Sequence, residues 1–508
     1  MESESIEIAG RKISLADWDA TPESIKLVIE DLHGLVAGLS QRISTLEEKL
    51  NKNSKNSSIP PSKKGFGGEQ KQEQKKQEQK IPKQRTKNSK SEKKLYAPEE
   101  CIKIHEEKPS SCSTCGEQLI GSDPEPYRHQ IIELPIIRPE VVEYRLHELD
   151  CEHCGAKTRA ELPGGVTQKC YGHRLSAWIA ILSGEYRQSY RQVERLLTEL
   201  CGVDLSRGTI GRARAEISEA VATATRAAGH YVQQQPVVNV DETGFKQYNR
   251  DGQNPSQTRG WLWVVVTPLV SYFAIVLSRS KATAQTLLGD FTGVVGSDRC
   301  PSYNWLNNDH RQVCWAHLLR DFQAMAERSG ASAEIGTSLL KSGHRLFHWW
   351  HKVRDGTMSK ELFIEAVRLL RAGVIEELES AVSLPIGPKE QTPLAKTVRT
   401  CQQLLKVEAA LWTFVNYPGV EPTNNVAERA LRPAVIWRNT SFGSQSQAGS
   451  EFVARMLTVS SSLKAQGRSL LDFLTESCQA YRFDSAAPSL IPPPAPPIIS
   501  ISPVLFLP

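Results

Sequence analysis

The first strong pattern along the chain is helical. Ile29, Leu32, Val36, Leu39, Ile43, Leu46 and Leu50 recur at alternating spacings of three and four, and Ile25 extends the seam one step back. Thr21-Pro22-Glu23 before it offers an N-cap, a fixed φ at the first helical position and an acid near the positive helix end. In heptad terms Ile29, Val36, Ile43 and Leu50 fill position a, while Ile25, Leu32, Leu39 and Leu46 fill d. β-Branched residues at a with Leu at d favour a parallel two-stranded coiled coil, here over 21–53, and hence a homodimer. Gly34 and Gly38 weaken that helix by roughly 1 kcal/mol each relative to Ala. Periodicity then stops: residues 54–97 have almost nothing to bury and read as a basic disordered linker.

The period returns in other forms. Between 98 and 166 the runs Gln130–Leu134 and Glu140–Leu146 look like strands, whereas 170–232 is helical in pattern. From Pro236 the alternation is that of strands: PVVNVD to Asp241, GWLWVVV over Gly260–Val266, SYFAIVL over Ser271–Leu277. A helix follows around Lys281–Leu288, then a fourth strand, GVVGSD, ends at Asp298. Three strands, a helix and a fourth strand resemble the opening of an RNase H-like sheet. Residues 305–420 read as an all-helical insertion, 421–483 as the second part of the core begun at 236–304, and 484–508 as a disordered Pro-rich tail. The expected class is multidomain α+β.

Composition changes this picture at three points. The chain of 508 residues carries a formal charge of +5, yet residues 51–94 hold fourteen Lys/Arg against four Glu. A basic arm on a near-neutral body points to a polyanionic partner. GFGG at 65–68 is no phosphate loop, because no strand precedes it. The sequence has no apolar run of 18 residues and no signal-peptide pattern at its start, so neither a membrane span nor secretion is expected. Eleven cysteines, an odd number with two Cys-x-x-Cys pairs, suit a reducing compartment and a metal site better than a disulfide framework.

Those pairs are Cys112-Ser-Thr-Cys115-Gly and Cys151-Glu-His-Cys154-Gly, with 35 residues between them. Four thiolates in two such turns can close a tetrahedron around a structural Zn²⁺ in a zinc ribbon-like module, 98–166. A four-cysteine site leaves no open position, which excludes a zinc hydrolase. His153 is the one plausible substitute ligand; His129 and His147 read as surface residues. Within 170–232, Tyr190–Leu200, a Gly-containing turn and Ser206 capping a second helix form a helix-turn-helix pattern. It would offer Arg207, Thr209, Arg212 and Arg214 to a DNA major groove.

Asp241 and Asp298 stand at the ends of expected strands, 57 positions apart. Val237, Asn239 and Asp241 share a face, so Glu242 points away and Asp241 is the better candidate. A third acid, Glu428, lies 130 positions after Asp298, in a helix start with Thr423 or Asn424 as cap; Asn424, Glu428 and Arg432 share a helix face. Converging carboxylates hold hard divalent cations, and a pair of such ions serves phosphoryl transfer. On spacing alone, an isolated strand-end Asp is as readily a cap or turn residue.

The ordered set Asp241-Glu-Thr-Gly, Ser297-Asp298 with Tyr303, Cys314-Trp-Ala-His317-Leu-Leu-Arg320-Asp-Phe322, Asn424-Asn425-Val-Ala-Glu428-Arg429-Ala-Leu-Arg432-Pro433 and Arg438-Asn-Thr-Ser-Phe442-Gly443-Ser444 resembles the insertion sequence 66 family of bacterial transposases. The two cysteine knuckles and the tract Asn51–Lys64 extend the resemblance over roughly 20–480. It implies a DDE-type transposase with an RNase H-like core interrupted by a helical insertion. Carried over by position, Asp241, Asp298 and Glu428 are the catalytic acids and ligands of Mg²⁺ (or Mn²⁺), and Cys112, Cys115, Cys151 and Cys154 the ligands of Zn²⁺. Arg429 and Arg432 would contact the DNA backbone. The Cys314/His317 pair reads as packing or DNA contact. Arg299-Cys300 departs from the Gly-Tyr pair common after the second acid, and Pro488–Pro508 matches nothing in the family.

The implied activity is binding of terminal inverted repeats, followed by Mg²⁺-dependent DNA cleavage and strand transfer, in the bacterial cytoplasm at the nucleoid. Its partners are double-stranded end and target DNA, a second copy of the chain and, where the pathway requires them, small accessory transposition proteins. The alternative is a catalytically inactive or domesticated DNA-binding regulator; a nuclease that cuts without joining is a second rival. The basic arm generates a first prediction. DNA affinity measured across a salt series should include a sequence-independent part that falls steeply with salt.

Overall fold

The computed structural model describes residues 5–8, 11–51, 56 and 95–493. The basic segment expected as a linker lies almost wholly outside them, as does the chain from 494 on. The architecture is mixed α/β around a five-stranded sheet. Its strands are β1 (Val237–Gly244), β2 (Trp261–Val266), β3 (Ser271–Val276), β4 (Val294–Ser297) and β5 (Arg311–Val313), in the order β3-β2-β1-β4-β5. β1, β2 and β3 are antiparallel neighbours, whereas β4 runs parallel to β1 and β5 parallel to β4. The change of direction follows from the connections. The loop 245–260 joins β1 to β2 and a short turn joins β2 to β3, while the helix Lys281–Leu288, capped by Ser280, returns the chain for a parallel β4. β5 falls inside the stretch expected to be an all-helical insertion. Three residues are too few to show an alternation, so the strand left no periodic trace.

Parity along β1 divides the sheet. Val238, Val240 and Glu242 share one face with Trp263 and Val265, and Asn239 and Asp241 share the other with Val264, Val266 and Phe273. The principal core gathers both sets with Ala427, Leu431, Ala434 and Trp437 of the helix Asn425–Ser441 and with the helix Gln447–Gln466. Leu490 is fully buried in this core and its carbonyl accepts from Gln466 Nε2 at 3.0 Å, so residues 484–493 are packed chain, contrary to a disordered tail beginning at 484. A second core begins at Val294 and Val313 and continues through the helices Trp315–Ala326, Ala331–Arg354, Lys360–Val382 and Pro393–Lys406. Within this second core Trp315 Nε1 donates to the Leu411 carbonyl at 2.7 Å. A third core unites His173–Ser183, Tyr190–Cys201 and Arg207–Ala220, with the chain reversing at Gly202 and Ser206 capping the last helix.

Both sheet edges are covered by side chains that complete their hydrogen bonding. On β5, Thr413 Oγ1 donates to the Arg311 carbonyl at 2.6 Å, and the strand's own Gln312 side chain donates from Nε2 to the Leu411 carbonyl at 3.1 Å and accepts at Oε1 from Phe414 N–H at 2.8 Å. On β3, Ser462 Oγ and Thr458 Oγ1 accept from the N–H groups of Ser271 and Phe273, each at 3.0 Å.

The N-terminal part is built differently. The helix Glu23–Asn51 carries the heptad seam, and Leu32, Leu39 and Leu46 on it are each more than half exposed. No described residue between 95 and 166 is buried. The runs Gln130–Leu134 and Glu140–Leu146, expected as strands, form no ladder; the short strands Glu148–Asp150 and Lys157–Arg159 pair instead, around the second knuckle. β-Propensity needs a half-packed surface to act on, and these apolar side chains have none. Among the described residues, no helix is long and apolar enough to cross a membrane.

The edge contact on β3 is testable. Thr458→Val keeps the shape and removes the acceptor of a buried N–H, so it should lower unfolding stability by about 1–3 kcal/mol, read from chemical or thermal melts.

Candidate active site

The sheet register sets the site. Because Asn239 pairs with Gly296 across the parallel β1–β4 ladder, two residues further Asp241 comes level with Asp298. The Asp298 charge accordingly bears on Asp241. Gly296 is required beneath them: a Cβ there would fall 2.3 Å from Nδ2 of Asn239, whose amide crosses over it.

That amide reaches Asn424, one turn before Glu428. Asn239 Nδ2 donates to Asn424 Oδ1 at 2.9 Å, and Asn424 Nδ2 donates to the Val240 carbonyl at 2.7 Å. Asn424 is the N-cap residue of its helix, but its side chain makes no capping bond; it is spent on the strand. The helix carrying the third acid is thereby fastened to the strand carrying the first. Asn424 N–H donates to Cys314 Sγ at 3.1 Å, which ties in the start of the helix Trp315–Ala326 as well.

The electrostatics are those of crowded acids. Asp241 is pushed well above the ordinary carboxyl range, first by burial, then by Asp298 and Glu242 and, more weakly, Glu428; a 2.8 Å bond from Glu242 N–H opposes this. Glu242 is handled differently. Its buried side chain pairs with Arg279 at 2.7 Å and accepts from the Tyr303 hydroxyl, on the face away from Asp241. Burial and then the Glu242 charge push the Tyr303 hydroxyl well above its usual value, so it remains a donor. The loop of Asp298 is fixed from within by Arg311, which donates to Ser297 Oγ (3.1 Å) and to the carbonyls of Asp298 (2.8 Å) and Tyr303 (3.2 Å). Asp298 Oδ1 accepts from Cys300 N–H at 2.8 Å. At the departure from the family pattern, Arg299 pairs with Asp321 and Cys300 is buried.

Glu428 faces the helix Trp315–Ala326. Its Oε2 lies 3.6 Å from Arg320 Nη2, and its Oε1 lies 3.5 Å from His317 Nδ1. Oε1 of Glu428 and Nδ1 of His317 are both buried without a hydrogen-bond partner. Cys314, His317 and Glu428 offer ligand atoms all within 4.8 Å of one another, the one such group among the described residues. The pair Cys314/His317, expected as packing or DNA contact, thus stands directly against the third acid. Asp241, Asp298 and Glu428 interact but do not close to that distance as a trio. Carboxylates that share two ions roughly 3.5–4 Å apart span more than a single coordination sphere. Three acids whose charges bear on one another suit a hard divalent ion.

The cysteine knuckles form as separate turns. Gly116 N–H donates to the Cys112 carbonyl at 3.0 Å and Gly155 N–H to that of Cys151 at 2.7 Å, with both glycines at positive φ, +78° and +72°. The Cys112 thiol is lowered to about 7, chiefly by the backbone N–H groups of Cys115 and Thr114; Cys151 is lowered by those of Cys154 and His153. Both turns favour thiolates, the metal-binding form. The four sulfurs are not brought into one ligand group.

Of the residues expected to meet DNA, Arg207, Arg212, Arg429 and Arg432 are exposed and Thr209 half-buried beside Arg212, whose Nη2 donates to it at 3.1 Å. Arg214 is a correction. Its guanidinium is enclosed between the Tyr190 and Phe452 rings and donates to the Tyr190 hydroxyl at 2.6 Å, so it is a packing residue. Helical periodicity marks it, because Arg214 falls four after buried Ile210 and three before buried Ile217. The roles of Asn239, Asn424 and Arg311 in fixing the acids were missed. Asn239 shared the face of Asp241 in the alternation, whereas nothing near Arg311 in sequence announces its partners.

A stability test follows from Asp241. A carboxyl raised in the fold holds its proton more tightly than in the unfolded chain, so stability is lost as pH rises from the ordinary carboxyl range through the folded value. At neutral pH Asp241→Asn should therefore stabilise the metal-free protein. Mg²⁺ should stabilise the wild type, by about 2.7 kcal/mol at a hundred times its Kd, and the variant far less, in thermal melts.

Residues 168–452 match the sequence profile described as Transposase IS66 family, and residues 17–95 match a family of unknown function, DUF6444. The chain is also 26% identical over 242 residues to the uncharacterized protein y4qI of Sinorhizobium fredii (strain NBRC 101917 / NGR234). That match covers 43% of each chain, so less than half of the relative's length is spanned. The IS66 match takes in more than half of the chain, including all five strands and the three acids, and the chain belongs to the IS66 family of transposases.

Proposed function

We propose that this chain is a DDE-type transposase that binds the terminal inverted repeats of an insertion sequence and carries out metal-dependent DNA cleavage and strand transfer. What supports the reading is the β1–β4 ladder ending at Asn239 and Gly296, two residues before Asp241 and Asp298, with Asp298 and Glu428 both near enough to act on Asp241. The strand order β3-β2-β1-β4-β5, with one reversal of direction, is that of an RNase H-like core in this reading. Two Mg²⁺ (or Mn²⁺) ions held by these acids would supply the charge that stabilises the attacking and leaving oxygens of an in-line phosphoryl displacement.

The protein's part is position. Arg311 and the backbone N–H of Cys300 hold the Asp298 loop, and Asn424 holds Glu428 at a fixed distance from β1. The same carboxylates would serve first to free a 3′-hydroxyl at the element's end and then to join it to a target phosphate, without a covalent protein intermediate. Exposed Arg429 and Arg432, on the helix of Glu428, would contact the scissile backbone. Arg207, Thr209 and Arg212 at the start of the Arg207–Ala220 helix would face a major groove, with Cys112, Cys115, Cys151 and Cys154 holding a structural Zn²⁺ beside them. The exposed seam of Glu23–Asn51 would pair two copies across two ends.

The test is a cleavage and strand-transfer assay on the DNA ends that flank the gene. Wild type should cut and join in Mg²⁺, and Asp298→Ala and Glu428→Ala should each lose activity by roughly 10³-fold or more while still binding ends. Specific end binding by wild type without any cleavage would replace this reading with that of a DNA-binding regulator; cleavage without joining would replace it with a nuclease.

A further inference from the structure

The cluster on the far side of Glu428 uses a different ligand chemistry from the aspartates. Cys314 Sγ sits at the start of the helix Trp315–Ala326, where it accepts from Asn424 N–H at 3.1 Å. His317 is three residues on, within the same turn, and its Nδ1 faces Glu428 Oε1 at 3.5 Å. Neither of those two atoms has a hydrogen-bond partner although both are buried, an unfavourable state for polar groups. Arg320 engages Oε2 of the same carboxylate, which leaves Oε1 to the cluster.

We propose that Cys314, His317 and Glu428 form a second metal site, one for a borderline-soft divalent cation such as Zn²⁺. A thiol, an imidazole and a carboxylate make a three-ligand set that leaves a fourth position open, and sulfur selects against Mg²⁺. Metal–ligand bonds of roughly 2.0–2.3 Å imply ligand-to-ligand edges somewhat shorter than the 4.8 Å within which these atoms lie, so closure needs only a small side-chain movement. As the sulfur–metal bond forms, the thiol proton leaves to solvent, and the dication is balanced by one thiolate and one carboxylate. Nδ1 of His317 and Oε1 of Glu428 gain the partner they lack.

The consequence is regulatory and rests on the proposed role of Glu428 as the third acid. A carboxylate committed to zinc beside His317 is withdrawn from Asp241 and Asp298, so zinc occupancy opposes Mg²⁺-dependent chemistry. The existence of the site does not rest on that role.

The experiment is a Co²⁺ titration of the full chain under reducing conditions, followed by visible and near-ultraviolet absorption and by bound metal per chain. Wild type should hold one more equivalent than His317→Asn or Cys314→Ser, and the difference spectrum should carry a thiolate-to-cobalt charge-transfer band. The cysteine knuckles are common to all three proteins and cancel in the comparison. Cys314 is buried, so His317→Asn, at a partly exposed position, is the variant that keeps the test decisive if the serine variant folds poorly. Equal cobalt content and identical spectra in wild type and His317→Asn would overturn the site. Zn²⁺ added to wild type in excess Mg²⁺ should lower DNA cleavage, and undiminished cleavage with the site occupied would overturn its regulatory role. Absence of cleavage in Mg²⁺ alone would count against the proposed function, and the cobalt comparison would still decide the site.

Discussion

The parallel register between β1 and β4 is the constraint on which the site depends. It puts Asp241 level with Asp298 across one strand spacing and lays the Asn239 amide over Gly296 toward Asn424. A shift of one residue would send Asp241 to the face occupied by Val238, Val240 and Glu242, because side chains alternate with a period of two. The chain guards the register from several sides. Arg311 locks the end of β4 to the following loop, and Gln312 fastens β5 to the segment that returns from the helical insertion. The insertion is therefore part of the sheet's support: its core starts on Val294 and Val313.

Three acids near one point oppose folding unless something offsets their charge, and the protein treats them unequally. Glu242 is neutralised internally by Arg279 and by the Tyr303 hydroxyl. Asp241 has only the N–H of its neighbour, so its carboxyl is raised by burial and by Asp298 and Glu242. A fully compensated acid beside an uncompensated one is the arrangement expected when the first is structural and the second awaits a ligand. Three nearby cations are engaged away from Asp241, Arg279 with Glu242, Arg299 with Asp321 and Arg311 with backbone carbonyls, while Arg320 stands 3.6 Å from Glu428.

Much of this was legible in the sequence because it depends on local pattern. The alternation from Pro236 located β1 to β4 within a few residues, and the parity argument separated Asp241 from Glu242 correctly: the latter turns to Arg279 on the opposite face. What stayed hidden depends on long-range pairing. β5 is too short to have a period, and the partners of Arg311 are fixed only once the loop after Asp298 has closed. Asn424 was read as a helix cap because that is the local use of Asn before a helix. Its side chain instead bonds β1, 184 residues away in sequence, leaving the cap unmade. Arg214 was legible by contrast: it shares the helix face of buried Ile210 and Ile217, which Phe452 of the Gln447–Gln466 helix covers.

The two halves of the chain differ in how their order is obtained. From 170 on, three cores and satisfied sheet edges supply it from within. Between 95 and 166 no described residue is buried, yet fixing each backbone residue costs about 1–2 kcal/mol. Apolar burial within that segment cannot offset such a cost, and on the proposed function its order comes from the metal and the DNA it would bind. The two knuckles bear the mark of that dependence: each turn has formed and each lowers its first thiol, while the sulfurs of the two remain apart. The exposed heptad seam of Glu23–Asn51 follows the same logic, because alternating apolar residues on a solvated helix are stabilised only by a partner. On the proposed function both debts fall due together at the DNA end, where a metal-closed module and a paired helix would gain their partners as the catalytic core meets its substrate.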